Sequence, residues 1–140
     1  MPATPGKSAV ELFRALKSGE VKAVWIACTN PAQSLPDQAL VHEALQAAEF
    51  VIVQEAFGHT ETCAYADLLL PATTWGEKDG TVTNSERAIS RVRAAVPAPG
   101  EARHDWAIVV DFARRLGARL GKAGLAERMF PYTSPEAIWN

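Results

Sequence analysis

The chain has 140 residues, of which 48% are hydrophobic and 21% are charged, a composition typical of one globular domain with a buried core. Its formal net charge of −2 argues against the clustered positive charge of a nucleic-acid-binding surface. No apolar run approaches the roughly 20 residues that span a membrane. We therefore expect neither a nucleic acid nor a membrane as a partner.

Two cysteines, Cys28 and Cys63, are present, and they do not form a CxxC pair. Neither a zinc site nor an iron–sulfur cluster can be built from them alone. Isolated cysteines are typical of a reducing compartment, and the first residues contain no apolar segment of a signal peptide. We expect a cytoplasmic location.

The N-terminal part predicts a linker, a helix and a strand. Residues 1–6 have the composition of a linker. Ser8 and Glu11 have the spacing of a capping box, which predicts a helix that ends at Ser18-Gly19. The apolar stripe of this helix is Val10, Leu12, Phe13 and Leu16, and an apolar strand is predicted over residues 21–28.

The next elements alternate between helix and strand. A helix is predicted over residues 37–48, with Leu40, Val41, Ala44 and Leu45 buried. The run 50–54 is apolar and β-branched, which predicts a central strand. Thr60 is predicted to cap a short helix that reaches about residue 66, and a further strand over residues 67–71 ends at a proline.

The C-terminal half has weaker signals. Residues 72–100 form a long, weakly periodic segment with an alternating piece at 88–92, and such a long loop usually has a function. A helix is predicted over residues 105–116, with Trp106, Val109, Val110 and Phe112 facing inward. Ser134 and Pro135 predict a last helix start so close to the chain end that we expect a longer parent protein.

This order of elements predicts an α/β fold, a Rossmann-like three-layer domain with a mainly parallel sheet and helices on both faces. We expect the domain over residues 7–120 and a truncated C-terminal extension over 121–140. In such a sheet, ligands bind beyond the carboxyl ends of the strands.

Small or polar residues follow all three predicted strands, at 29–34, 54–55 and 72–75. Strand, polar loop and helix is a geometry that can bind a nucleotide phosphate, although an ordinary connection without a ligand fits the first loop equally well. The fingerprint GxGxxG is absent, which argues against a plain NAD site. Glu55 lies where a dinucleotide fold often has a ribose-binding acid, and a solvated loop carboxylate is the alternative.

Asp105 at a helix start can be a simple N-cap, or its two oxygens can accept the paired N–H donors of a guanine base. His42 is predicted on a helix surface. His59 falls in a loop at the ligand edge, where a catalytic role is the less favoured hypothesis. No nucleophile–base pair is visible, so the residues predict a binding surface and not a reaction centre.

Several segments together resemble the molybdopterin oxidoreductases of the dimethyl-sulfoxide-reductase family. Within the family the resemblance is greatest to the catalytic subunits of assimilatory nitrate reductases. It covers roughly residues 7–117 and rests on the segments 25–37, 51–55, 66–72, 75–87, 97–103 and 105–106.

The resemblance implies that the chain is one of two α/β domains, each of which largely holds one molybdopterin guanine dinucleotide of a bis-liganded molybdenum centre. Asp105 would pair with guanine, and Ala72 would offer only a backbone contact. Asn84, Glu86 and Arg87 are assigned to loop structure or domain contacts. The implied cofactor-binding residues are Thr29, Asn30, Ser34, Gln54, Glu55, Ala72 and Asp105.

The chain also departs from the family pattern. It has neither the cysteines that hold a [4Fe–4S] cluster in the parent enzyme nor the segment that ligates molybdenum. The implied function is therefore a fragment of a nitrate reductase that is inactive alone and that contacts the other domains of the parent. A formate dehydrogenase and a stand-alone nucleotide-binding or interaction module are the alternatives.

Overall fold

The structure is a computed structural model that describes residues 5–139. It divides into two compact units, one that ends at Pro71 and one that begins at Ala72. The first unit contains three α-helices, three strands and one 3₁₀ helix, Glu61–Tyr65, among the described residues. They are α1 (Ala9–Lys17), β1 (Ala23–Ala27), α2 (Pro31–Ser34), α3 (Gln38–Ala47), β2 (Phe50–Glu55) and β3 (Leu68–Pro71).

The three strands of the first unit form a parallel sheet in the order β1-β2-β3. In its register, Ala27 pairs with Gln54 and Glu55 pairs with Pro71. The central position of β2 confirms the expectation from its apolar, β-branched sequence. Because all three strands run the same way, their carboxyl ends meet at one edge of the sheet.

The core of the first unit lies between the sheet and the helices α1 and α3. Leu16 is fully buried, and Val51 and Val53 of β2 are each 1% exposed. Ser8 forms the predicted capping box with Glu11 at the start of α1, and Asp37 accepts a hydrogen bond from the Leu40 amide at the start of α3. The core residues are Phe13, Leu16, Ile26, Ala32, Val41, Ala44, Leu45, Val51 and Val53.

The second unit is a hairpin followed by helices. Its elements are a 3₁₀ helix (Trp75–Glu77), β4 (Gly80–Thr83), β5 (Ile89–Val92), α4 (Asp105–Arg119), α5 (Ala123–Met129) and α6 (Pro135–Trp139). Strands β4 and β5 pair antiparallel. Asn84 closes the turn, since its side-chain oxygen accepts from the Ala88 amide at 3.0 Å, and Arg87 is left-handed, with a φ of 64°. The loop role predicted for Asn84 is thereby confirmed.

The helices of the second unit differ from expectation in which residues they bury. In α4, Ile108 and Val110 are buried, whereas Val109 and Phe112 are each 44% exposed, so the inward orientation predicted for the latter two is wrong. Helix α4 packs closely on α5 at Gly117 and Ala126. A side chain at position 117 would not fit there, since its Cβ would lie 2.3 Å from the Ala126 Cβ.

An α/β fold with a parallel sheet is confirmed, and several bounds are corrected. The first strand is Ala23–Ala27, shorter than the predicted 21–28, and α4 extends to Arg119 beyond the predicted end at 116. Helices α2 and α5 and strand β4 were not predicted. The predicted division into 7–120 and 121–140 stays a prediction, and residues 1–4 of the predicted linker lie outside the described residues.

Candidate functional site

The loop after β1 begins with a backbone turn at Cys28. This residue has a φ of 59°, a left-handed conformation that costs a non-glycine residue energy and that occurs preferentially near functional sites. Its amide donates to the Gln54 carbonyl at 3.1 Å, which fixes the loop to the end of β2. Thr29 follows with an exposed side chain, available to a ligand.

The side chain of Asn30 holds this loop against the 3₁₀ helix Glu61–Tyr65. Its Oδ1 accepts from the amide and the hydroxyl of Thr62, at 3.1 and 2.6 Å. Its Nδ2 donates to Glu61 Oε2 at 2.6 Å and to Gln33 Oε1 at 3.2 Å. The Thr62 hydroxyl in turn accepts from the Ala32 amide at 3.1 Å. These bonds use the hydrogen-bonding capacity of the Asn30 amide group, so it sets the shape of the loop.

Glu61 is the acidic member of this network. The hydrogen bond that Asn30 donates to it is the main reason that the pKa of Glu61 is lowered from its ordinary value, since a donor stabilises the charged form of a carboxyl group.

Ser34 is the last residue of α2. Its hydroxyl is exposed and donates to the Asn30 carbonyl at 2.9 Å. The oxygen of that hydroxyl can still accept a hydrogen bond from a ligand.

Gln54 and Glu55 end β2 at the same edge of the sheet. Gln54 is 2% exposed, whereas Glu55 is half-buried. The Glu55 carboxylate accepts from the amides of Ala56 and Phe57, at 2.7 and 3.3 Å. Glu55 therefore shapes its own loop, and a carboxylate has lone pairs left for a further donor.

In the second unit, Ala72 and Thr73 lie beside the segment that leads into α4. Ala72 forms a parallel bridge with Arg103, and the Thr73 amide donates to the Arg103 carbonyl at 3.0 Å. Both residues are buried. Among residues 5–139, buried polar atoms without a hydrogen-bond partner include Thr73 Oγ1, His104 Nδ1 and Trp106 Nε1.

Asp105 is the first residue of α4, between His104 and Trp106. Its Oδ2 lies 3.1 Å from Lys78 Nζ, and the two side chains are 30% and 25% exposed. The same ammonium group lies 5.1 Å from the centre of the Trp75 ring, within the range of a cation–π interaction. The N-cap position belongs to His104, so the reading of Asp105 as a simple N-cap is wrong.

The structure places Thr29, Asn30 and Ser34 in the loop after β1 and the short helix α2 that follows it, and Gln54 and Glu55 on the neighbouring strand of the same unit. Ala72 and Asp105 belong to the second unit.

The two histidines considered in the sequence analysis have different surroundings. His42 is half-buried and shares a 2.6 Å hydrogen bond with the Tyr65 hydroxyl, and His59 is exposed. Within the described residues, no group of three or more His, Cys, Asp or Glu side chains could hold a metal ion.

Sequence reasoning missed three residues of these clusters. Glu61 and Thr62 lie about 30 residues from Asn30, and Lys78 lies 27 residues from Asp105. No local pattern predicts contacts over such separations. Lys78 does fall within the segment 75–87 on which the family resemblance rests.

No helix among the described residues is long and apolar enough to cross a membrane.

Comparison with known proteins identifies related chains. Residues 1–115 match the family model described as molybdopterin oxidoreductase. A nitrate reductase of Klebsiella oxytoca is 56% identical over 114 residues, which are 81% of this chain and 13% of the relative. The assimilatory nitrate reductase catalytic subunit of Bacillus subtilis is 41% identical over 135 residues, 96% of this chain and 18% of the relative.

A formate dehydrogenase is also similar. The F420-dependent formate dehydrogenase subunit alpha of Methanocaldococcus jannaschii is 46% identical over 97 residues, 69% of this chain and 14% of the relative. Acetylene hydratase from Pelobacter acetylenicus superposes with a TM-score of 0.72 at 24% identity, over 90% of this chain and 17% of that one, a likeness that concerns the fold. The chain thus spans less than a fifth of each of these relatives.

Proposed function

Because the chain belongs to the molybdopterin oxidoreductase family, we propose that it is the part of a molybdenum-dependent nitrate reductase that binds the nucleotide end of a molybdopterin guanine dinucleotide. The nitrate reductase relatives, which include an assimilatory catalytic subunit, support the substrate. The parent enzyme would reduce nitrate to nitrite in the cytoplasm.

One observation in the second unit carries the nucleotide-binding role. Asp105 lies between His104 and Trp106 in the sequence. The buried atoms His104 Nδ1 and Trp106 Nε1 have no hydrogen-bond partner among residues 5–139. Thr73, whose amide donates to the Arg103 carbonyl of the same segment, also has a buried hydroxyl without a hydrogen-bond partner. Buried polar groups are nearly always hydrogen-bonded in a complete structure. The donor set therefore fits a polar ligand, and a carboxylate in such a setting suits the N–H groups of guanine.

The roles of the other residues follow from their chemistry. The exposed hydroxyls of Thr29 and Ser34 suit the phosphates and sugar of the cofactor. Asn30 would act by shaping the loop through its bonds to Thr62 and Glu61. Gln54 and Glu55 would contact the nucleotide from the end of β2. Ala72 would contribute its backbone, since its methyl group has no donor or acceptor.

The bis-molybdopterin guanine dinucleotide centre would supply two-electron redox chemistry, with electrons delivered by a [4Fe–4S] cluster elsewhere in the parent. This chain's own residues would bind and orient the nucleotide. The remaining domains of the parent are its proposed partners, and with them the parallel sheet would form a Rossmann-like three-layer arrangement with helices on both faces. Without those domains the chain would not reduce nitrate.

A second candidate function is the same domain of a formate dehydrogenase, which the relative from Methanocaldococcus jannaschii supports. The nucleotide end of the cofactor would be bound in the same way in both enzymes. Nitrate and formate assays of the parent enzyme separate the two. If the chain were instead a stand-alone nucleotide-binding or interaction module, its folding and its binding would not require other domains.

The test uses the full parent enzyme. We expect Asp105→Ala to lower the molybdenum content and the GMP released from the cofactor by acid hydrolysis, and nitrite formation to fall in proportion. Glu101→Ala, which removes an exposed carboxylate four residues away, should change neither. The 140-residue chain should form no nitrite. Full cofactor loading of the Asp105→Ala enzyme would contradict the proposed role of this residue.

A further inference from the structure

Lys78 lies beside the carboxylate that the proposed function assigns to guanine. Its ammonium group is 3.1 Å from Asp105 Oδ2 and 5.1 Å from the centre of the Trp75 ring. The first contact places a positive charge at hydrogen-bond distance from the carboxylate. The second keeps that charge over the face of an indole, an arrangement that is favourable for an ammonium group.

A half-buried lysine held by two partners has less conformational freedom than an exposed one. Only a quarter of the Lys78 side chain is exposed, and its backbone follows directly after the 3₁₀ helix Trp75–Glu77. That helix has its own capping box, in which Glu77 accepts from the Thr74 amide at 2.9 Å. The ammonium group is therefore held at a defined place next to Asp105.

The edge of guanine has a donor and acceptor pattern that fits this pair of charges. Its N1–H and N2–H groups donate and its O6 accepts, so a ligand whose N–H groups meet Asp105 presents O6 on the adjacent side. A lysine has three donors and no acceptor, and Asp105 occupies only part of that capacity. A carboxylate group accepts at about four lone-pair sites, so the bond to Lys78 does not by itself exclude the N–H groups of a ligand.

Adenine presents the opposite pattern at the same two positions. It has an amino group where guanine has O6 and an unprotonated N1 where guanine has N1–H. Lys78 would then face a donor and Asp105 would face an acceptor, and both of these pairings are unfavourable. A pair of opposite charges at a fixed separation can thus select guanine by attraction and reject adenine by mismatch.

We propose that Lys78 is a second base-recognition residue, which donates a hydrogen bond to O6 of guanine while Asp105 accepts from N1–H and N2–H. This inference rests on the proposed function, because it requires a guanine nucleotide at Asp105. It adds a residue and a selection rule to that site: any base with an acceptor at position 6 and a donor at N1 is accepted.

The experiment measures the affinity of the 140-residue chain for GDP, IDP, ADP and 6-thio-GDP by isothermal titration calorimetry. IDP retains O6 and N1–H but lacks the N2 amino group, so the ratio of GDP to IDP affinity reports on Asp105 alone. In 6-thio-GDP a poorly accepting sulfur replaces O6, so the ratio of GDP to 6-thio-GDP affinity reports on Lys78.

We expect Lys78→Met to weaken GDP and IDP binding by the same factor, about 10-fold or more, as is typical for a lost hydrogen bond from a charged group. Affinity for ADP should not fall. Lys78→Arg, which keeps a cationic donor, should retain most of the GDP affinity. Lys22→Met, which removes an exposed lysine paired with Glu49, should have no effect on any of the four ligands.

The outcomes separate this inference from the proposed function. If the wild-type chain does not prefer GDP to ADP, or if Asp105→Asn leaves the ratio of GDP to IDP affinity unchanged, the guanine site is wrong and this inference falls with it. If that ratio depends on Asp105 but wild-type protein binds 6-thio-GDP as tightly as GDP, only the role of Lys78 is overturned. That last comparison needs no variant, so it holds even if Lys78→Met fails to fold.

Discussion

The two units of this chain differ in how their residues are held. The first has a contiguous core between a parallel sheet and two helices, and its candidate loop is held by a partly buried hydrogen-bond network around Asn30 and Thr62. The second has a two-stranded hairpin and helices whose apolar residues are largely exposed. Large hydrophobic side chains exposed there include Trp75, Val82, Ile89, Val96, Leu116, Leu120 and Met129.

This difference bears on the proposal that the chain is one part of a longer enzyme. Exposed large hydrophobic side chains mark an interface where they form a contiguous patch, and the chain spans less than a fifth of the relatives described above. We infer that the first unit is stable through its own core, whereas the second would be completed by other domains and by the nucleotide. Changes in the core and in the loop network of the first unit should then act mainly on the free energy of unfolding, and changes around Asp105 in the second unit mainly on binding.

The largest effect is expected from the core of the first unit. Leu16 is fully buried, and Leu16→Ala should lower the free energy of unfolding by about 2–5 kcal/mol because it removes buried area and leaves a cavity. Urea unfolding followed by circular dichroism measures it. Leu120→Ala in the second unit removes the same atoms from a side chain that is 62% exposed and should cost less than about 0.5 kcal/mol. If Leu16→Ala and Leu120→Ala lowered the free energy of unfolding equally, the proposed difference between the two units would be wrong.

A smaller effect is expected from the network behind the candidate loop. Thr62→Val conserves shape but leaves Asn30 Oδ1 and the Ala32 amide each short of a partner, which should lower the free energy of unfolding by about 1–3 kcal/mol. The same urea titration applies. Thr29→Val, a matched change at an exposed position of the same loop, should be close to neutral. If the two variants unfold alike, the network does not hold the loop.

The smallest effect concerns one ionisation. Asn30→Ala removes the main cause of the lowered pKa of Glu61, so that pKa should rise toward its ordinary value in an NMR titration. In the wild type the stabilisation from the ionised Glu61 is present above the unfolded pKa and is lost as pH falls through the lower folded pKa. The variant should lose that pH dependence. Glu11, whose pKa is lowered by hydrogen bonds with Ser8, is the internal control and should not change.

Sequence reasoning was most successful where the signal is local. The apolar, β-branched run of β2 fixed its central place, and Ser8 with Glu11 marked the start of α1. Helix α2 was not predicted because four residues are too few to show a periodic pattern. Strand β4 was missed because Gly80–Thr83 is short and becomes a strand by pairing with β5.

The candidate site was predictable only in part, for a related reason. Its loops could be located because small and polar residues follow apolar strands. The partners within those loops could not, since Asn30 with Thr62 and Asp105 with Lys78 are contacts between distant segments of the chain. The exposure of Val109 and Phe112 was mispredicted because the spacing of apolar residues along a helix does not tell which of them the core covers.

The central claim is that this chain binds a guanine nucleotide, and its most direct test is an NMR titration of the 140-residue chain with GDP and with ADP. The account predicts saturable amide shifts with GDP at residues 29–34, at Gln54 and Glu55, and around Asp105, including the Trp106 indole. ADP should cause weaker shifts. Saturable shifts confined to other residues, or none at millimolar GDP in a folded sample, would contradict it.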